Sequence, residues 1–394
     1  MRRRRVWQAL LPLLLIGAGS PTLPAQERGP TAVSPEQLEA AIDRLGDLDY
    51  PARVAAGRTV RRAPPAQAVP ALVRAASSHG DGYVRFRALV LLTGFNDPRI
   101  VDTVLEAVGS PNDRLREVAY AYIEQRPNPA FVPRLLTAFD TEQGDFVRPA
   151  LVRALAAAGA DARVQQALVR DVGRGVDHFR SSVIEALGDY RHAWAVPPII
   201  EVAKLEGPLQ DDAAIALGKI GDKRALPVLA ELQRSAPRET QPSVAAAICL
   251  LGVNCSSHVG YLQKILGFAE DNPGYQELLR GAAAGLGAIA VRGDADALGL
   301  LFETGVPSQD PVRAPLALAV GLVALRNTPL VLETLEKRPD RDGAITLLAE
   351  GFDMLEEDFE EERFFATVRR TYWAAADKSA TRQLCERLIT RLDF

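Results

Sequence analysis

The stretch DDAAIALGKIGDKRALPVLAEL, residues 211–232, decides the fold. Ala214, Leu217 and Ile220 recur at helical spacing, Gly218 and Gly221 then break the pattern, and Asp222 is placed to cap a new helix. Leu226, Leu229 and Leu232 form the apolar stripe of that second helix. The stretch therefore reads as helix, tight turn, helix. Outward from it the same grammar recurs. Asn96-Asp97-Pro98, Asn128-Pro129 and Thr328-Pro329 each place a capping residue before a proline, and Asp161 caps in the same place. Ser34 and Gln37 are spaced for a capping box at the first helix.

The repetition is metrical. Asp49, Asp81, Asp113, Asp145 and Asp177 lie 32 residues apart, and Arg53, Arg85, Arg116, Arg148 and Arg180 follow them by three or four places. Pro70, Pro133, Pro197 and Pro227 keep nearly the same metre at two, two and one periods, each near an expected helix start. Leu187-Gly188, Leu217-Gly218, Leu251-Gly252, Leu286-Gly287 and Val320-Gly321 carry the series onward. One compact domain does not impose such a metre; a stack of identical units does. About nine or ten units fit between Ser34 and Leu355, the later ones longer and lacking the aspartate, with Leu209-Gln210 where the next Asp/Arg pair is due.

Composition agrees. The chain has 394 residues, 47% hydrophobic but only 6% aromatic, and its apolar content is mostly the Ala, Leu and Val of closely packed helices. The first 25 residues have another layout: basic Met1–Arg5, apolar Val6–Gly17, then a region of small residues and proline. That is a secretory signal peptide, with cleavage expected after Ala25. Its apolar run of about 12 residues is short against the ~20 of a membrane span. The expected organisation is a signal peptide over 1–25, a linker over 26–33, a repeat solenoid over 34–355 and C-terminal capping helices over 356–394. Losing the four leader arginines takes the formal charge from −4 to −8, which disfavours nucleic acid and anionic membranes as partners. No integral membrane segment is expected after leader removal, and the location is periplasmic or secreted in a bacterium.

The repeats resemble the HEAT family of α-solenoids, in particular the bacterial HEAT-like repeats first named from phycobilisome lyases. The resemblance is carried by residues 211–229, by GYVRFRALVLLTGFNDPRIVDTVL (82–105) and by DRLREVAYAYIEQRPNPAFVPRLL (113–136). It implies an all-α, right-handed α-solenoid of helical pairs whose second helices line a concave surface. Positions six, seven and ten after the aspartate, such as Val183, Ile184 and Leu187, are expected core. Glu117, Arg153 and Glu185 lie on another face and are the groove candidates, against ordinary solvated charges. In the family the Asp/Arg pair looks like a stacking element between repeats, which is its expected role here.

Other chemistry is thinly represented. His79, His178, His192 and His258 belong to no H-E-x-x-H motif, no His-Glu dipeptide occurs, and there is no G-x-S-x-G elbow, C-x-x-C or phosphate loop. No metal and no cofactor is expected. Cys249 and Cys255 are either bridged, which needs the chain to fold back near Gly252, or two small buried thiols. The acidic run Asp353–Glu362 reads as a solvated helix face, with a cation or basic-partner site as the alternative, and the helices expected over Arg363–Ala376 and Ala380–Leu392 as a polar cap on the stack. The expected function is a non-catalytic protein-binding scaffold or adaptor that holds an unidentified protein on its concave face. An enzyme or enzyme subunit of the HEAT-like lyase type is the alternative, followed by an envelope module that binds polysaccharide.

Overall fold

The computed structural model describes residues 33–272, 274–355 and 357–394. The expected leader, most of the linker and Glu356 of the acidic run lie outside these. Every regular element among the described residues is helical. Ten pairs follow in chain order: α1 (Pro35–Asp43) with α2 (Tyr50–Arg62), α3 (Pro65–Ser78) with α4 (Gly82–Gly94), and α5 (Ile100–Ala107) with α6 (Asp113–Gln125). Then come α7 (Val132–Thr141) with α8 (Val147–Ala157), α9 (Ala162–Val172) with α10 (Asp177–Asp189), and α11 (Val196–Ala203) with α12 (Gln210–Ile220). The later pairs are α13 (Leu226–Ser235) with α14 (Gln241–Leu250), α15 (Cys255–Asp271) with α16 (Gln276–Val291), α17 (Ala295–Gly305) with α18 (Arg313–Arg326), and α19 (Thr328–Lys337) with α20 (Arg341–Leu355). Two further helices, α21 (Asp358–Ala374) and α22 (Ala380–Arg391), close the chain.

Local chemistry sets these bounds. The capping box at Ser34 and Gln37 is formed, and Asp161 and Asp222 each accept a backbone N–H at the start of the next helical turn. α12 ends where Gly221 takes φ +81°, a left-handed conformation that glycine adopts without strain. Gly218 does not break the helix but lies inside it, against Ala247 of α14. Pro133, Pro197 and Pro227 sit at the second residue of α7, α11 and α13, whereas Pro70 is in the interior of α3. Asn96 has φ +52° and does not cap, and Asn327 rather than Thr328 caps α19. A disulfide joins Cys249 at the end of α14 to Cys255, the first residue of α15, around a turn in which Gly252 has φ +78°.

The second helices of successive pairs pack against one another along their length, whereas the first helices meet more sparsely. That asymmetry curves the stack, with the even-numbered helices on the inside. Two hydrophobic cores result, one running from Leu38 to Leu251 and one from Ala245 to Phe394. The expected core positions Leu151, Val152, Leu155, Val183, Ile184 and Leu187 are fully buried.

The ends of the stack do not stay apart. α21 packs on α4 and touches α6 and α18, and its Phe359 is buried in the first core while Phe364, Val368 and Tyr372 join the second. The solenoid is thereby closed on itself. The acidic run is accordingly not a solvated face. Glu360 and Glu362 are buried, and their partners come from helices hundreds of residues earlier or from α18. α22 packs on α19 and α20 as a cap, while α21 turns inward.

Candidate functional site

The Asp/Arg ladder divides into two parts. Asp49 and Asp81 cap α2 and α4. Asn112 caps α6 instead of Asp113, and Asp113 and Asp177 stand in the first turn of their helices, still at the positive end of the dipole. Asp145 caps nothing; Glu142 accepts the Gly144 N–H in its place.

The arginines reach backward. Arg53 donates to Asp47 O and Leu48 O (2.7 and 3.2 Å), Arg116 to Ser110 O (2.9 Å), Arg148 to Phe139 O and Glu142 O (both 2.9 Å) and Arg180 to Val172 O (3.0 Å). Each thus satisfies carbonyls left open at the end of the preceding helix or turn. Gln210 does the same for Ala203 O, Gln241 for Leu232 O and Ala236 O, and Arg313 for Gly305 O and Val306 O. Two of the arginines also bind a carboxylate of the next unit, Arg116 to Glu142 at 2.8 Å and Arg148 to Asp171 at 3.1 Å. Arg85 makes no such side-chain bond, and its Nε is buried without a partner.

Three clefts lie in register along the edge formed by the turns within the pairs. The first, about 220 Å³, lies between α3 and α5 and contains Arg85, Ser77 and Glu106. The second, about 760 Å³, separates α5 from α7 and is lined by Leu105, Val108, Arg116, Tyr120, Pro133 and Arg134. The third, about 360 Å³, lies between α7 and α9 around Phe139, Arg148, Arg170, Arg174, Val176 and Phe179. Arg148 is sandwiched between the rings of Phe139 and Phe179, 4.5 and 4.9 Å from their centroids. Along the same edge Leu48, Tyr50, Tyr83, Phe146, Val176 and Leu205 project into solvent, Phe146 being 85% exposed. Periodicity alone could not reveal this row, because its members sit in turns or in the first two residues of the helices that follow them.

The groove candidates fall on the inner side, but not as a free surface. Arg153 donates to Glu124 (2.8 and 3.0 Å) and to Asp189 (2.6 Å), Tyr190 Oη donates to the same Glu124 oxygen at 2.8 Å, and Lys219 donates to Asp189 at 2.8 Å. This hub joins α6, α8, α10 and α12. Burial would lower the pKa of Arg153, but Glu124 and Asp189 overcome it and hold the cation. Burial would raise Asp189, and Lys219 and Arg153 reverse that. Arg153 is therefore engaged within the chain.

Glu117 faces α21. Loss of solvent, then repulsion from Asp358 and Glu360, pushes its pKa up to about 7. Glu185 remains open to water within the concavity, and the surrounding wall followed by Asp212 raises its pKa. The inner side thus places Arg153 within the hub, leaves Glu185 near it but outside its hydrogen bonds, and sets Glu117 against the C-terminal helix. Among the described residues no group of three or more His, Cys, Asp or Glu is arranged to hold a metal, and no single helix is long and apolar enough to cross a membrane.

Two family models agree with this architecture. Residues 69–156 match the family model described as HEAT repeats, and residues 209–235 match that of the PBS lyase HEAT-like repeat. No curated protein matches the chain. Among solved structures, the Escherichia coli protein YibA is similar at 18% identity and a TM-score of 0.41, over 56% of this chain and 82% of that one. Importin beta, crystallised in ammonium sulfate, is similar at 12% identity and a TM-score of 0.37 over 91% of this chain and 58% of its own length. This chain therefore spans little more than half of importin beta.

Proposed function

We propose that the chain is a HEAT-like repeat protein, as the matches over residues 69–156 and 209–235 support, and that it is a non-catalytic scaffold of the bacterial envelope, exported by its N-terminal leader, that binds a protein partner along its turn edge rather than in its concave groove. The supporting observation is the row of three clefts in register, bordered by exposed Tyr83, Phe146 and Val176. Scattered exposed apolar residues need no explanation, but a row repeated unit by unit along one edge does. Arg134 and Arg174 line two of the clefts, are exposed, and form no ion pair with a carboxylate among the described residues. The matching partner is an extended segment with apolar side chains at about 10 Å intervals, the distance between stacked helices, and carboxylates between them. Each contact is weak, and the stack supplies affinity by fixing their spacing.

The test is capture from a periplasmic fraction by the wild-type chain and by Phe146→Ser/Arg174→Glu, with matched circular dichroism as the folding control. The proposal expects a partner that the wild type retains and the double variant loses, and whose cross-links map to residues 83–176. An identical partner set for both chains would refute the edge. A partner whose cross-links map only to the inner helices would return the reading to the groove.

A further inference from the structure

We propose that the inner cradle of α2 and α4, where it meets α6, is a docking surface for acidic amphipathic helices, and that α21 is a resident occupant which a partner's helix of the same chemistry displaces. This surface is separate from the turn edge, and its test does not depend on that reading.

Three observations support it. The first is the reach of the contact. Asp358 pairs with Arg87, 271 residues earlier, and Glu362 receives a two-pronged hydrogen bond from Arg61, 301 residues earlier, at 2.7–3.1 Å. Asp358 and Glu362 are four residues apart, so they share one face of α21. Phe359 beside them is buried in the core of the amino-terminal half. A helix that presents acid, aromatic and acid at these three places is what the cradle recognises.

The second is the chemistry of the cradle. With α21 in place Arg61 is nearly buried, its guanidinium 5.5 Å from the ring centroid of Phe365 of that helix, so an occupant that covered it without bringing a carboxylate would leave a desolvated, unpaired charge. The cradle therefore demands an acidic occupant, its own or another's.

The third is that α21 fits imperfectly. Its first two turns carry Asp358, Glu360, Glu361 and Glu362, and α6 sets Glu117 against them. Loss of solvent and the nearby Asp358 push Glu361 up to about 8, with Arg87 only partly opposing them. Glu361 is thus the carboxylate of the resident helix whose repulsion is least relieved, Arg87 being the one cation set against it. A competing helix with the same acid–aromatic–acid face but a neutral side chain at the place of Glu361 makes the same contacts without that repulsion, and so outcompetes α21.

Exchange is measured with fluorescein-labelled peptides of residues 357–376, one native and one carrying Glu361→Gln, by fluorescence anisotropy against the full chain. The Glu361→Gln peptide is expected to bind at least threefold more tightly than the native one. Both should bind at least tenfold more tightly to a chain carrying Asp358→Asn and Glu362→Gln, whose own helix is loosened. Arg61→Glu should abolish binding. Equal affinity for the wild-type and loosened chains, or binding that survives Arg61→Glu, overturns the proposal. If the loosened chain fails to fold, hydrogen exchange of the wild type with excess peptide replaces it: deprotection of residues 358–365 supports exchange, and unchanged protection overturns it. Light scattering that shows dimers linked through α21 would assign the cradle to a second copy and overturn the claim for a foreign helix.

Discussion

Replacing Gly218 with alanine should destabilise the protein, whereas the same change at Gly287, its counterpart two pairs later, should stabilise it. A Cβ on Gly218 would stand 2.5 Å from Ala247 Cα and 2.9 Å from Ala247 O, both in the backbone of α14. Ordinary contact begins at 3.4 Å, so α12 and α14 would have to part by about 1 Å in an interior packed as densely as an organic crystal. Overpacking of that kind costs about 1–3 kcal/mol, against which alanine returns about 1 kcal/mol of helix propensity over glycine. With the approach this close and made to backbone atoms, the cost falls in the upper part of that range, and the net expectation is a loss of up to about 2 kcal/mol. At Gly287 the new Cβ would meet Ala319 Cβ at 3.5 Å, which requires no movement, so the propensity gain stands and the variant should gain about 0.5–1 kcal/mol. Urea titrations followed by circular dichroism would measure both. A repeat stack need not unfold in one step, so hydrogen exchange over α12–α14 and α16–α18 should localise each effect. A Gly218→Ala chain as stable as the wild type, or shifts of the same sign in both variants, would refute the close approach as the reason for these glycines.

Further outcomes follow from the same geometry. Arg148→Ala should lower stability by about 3 kcal/mol, because it leaves the buried carbonyls of Phe139 and Glu142 and the carboxylate of Asp171 without their donor; Arg148→Lys should recover only part of this in the same urea titration. Phe146→Ser should leave the urea midpoint within the ~0.5 kcal/mol expected of a surface change, since a side chain 85% exposed contributes little to the core. Stability should peak near pH 5. Asp97 and Asp161 are held down to about 2 by hydrogen bonds from Arg99 and Arg163, so their contributions are lost as acid protonates them. Glu117 and Glu361 are raised to about 7 and 8, so between pH 4.5 and 8 the folded state holds protons the unfolded state has released, and stability falls as pH rises. The groups facing them are Arg87 of α4, Arg114 of α6, Asp353 of α20, Glu357 at the start of α21, and Asp358 and Glu360 of α21 itself. Hydrogen exchange of α21 should therefore be faster at pH 8.5 than at pH 5.5, after correction for the intrinsic rate.

The repeat was legible because its causes are local. A cap, a turn and an apolar stripe are all written within one unit, so the metre of Asp49 to Asp177 and the Leu-Gly series located most pairs. The Leu-Gly pattern also had a physical origin that the sequence did not disclose. Gly188, Gly218, Gly287 and Gly321 stand where successive inner helices cross, against Ala216, Ala247, Ala319 and Gly351. Gly252 fits the spacing but lies in a turn with open space around it. Gln210 and Gln241 keep the role of the ladder arginines without the charge; the metre located Gln210 but not its role, and a search for Asp/Arg pairs passed over Gln241.

Closure was not legible, because nothing periodic links Arg61 to Glu362 or Arg87 to Asp358. An acidic run covering all sides of a helix has the composition of a solvated segment, and only the curvature of the whole stack brings it against cations from the opposite end. The same curvature turned Arg153 from a groove residue into the centre of a hub. The inner face was therefore inferable from the resemblance to HEAT repeats, but its occupancy was not.

The most direct test of a stack closed by its own C-terminal helix is a double-mutant cycle on Arg61 and Glu362, using Arg61→Ala, Glu362→Ala and both together. Their guanidinium and carboxylate meet at 2.7 Å with side chains only 10% and 5% exposed, so the account predicts a coupling of about 2–3 kcal/mol. Strictly additive effects, within the ~0.3–0.5 kcal/mol seen for distant sites, would mean that the two ends of the chain do not touch in solution.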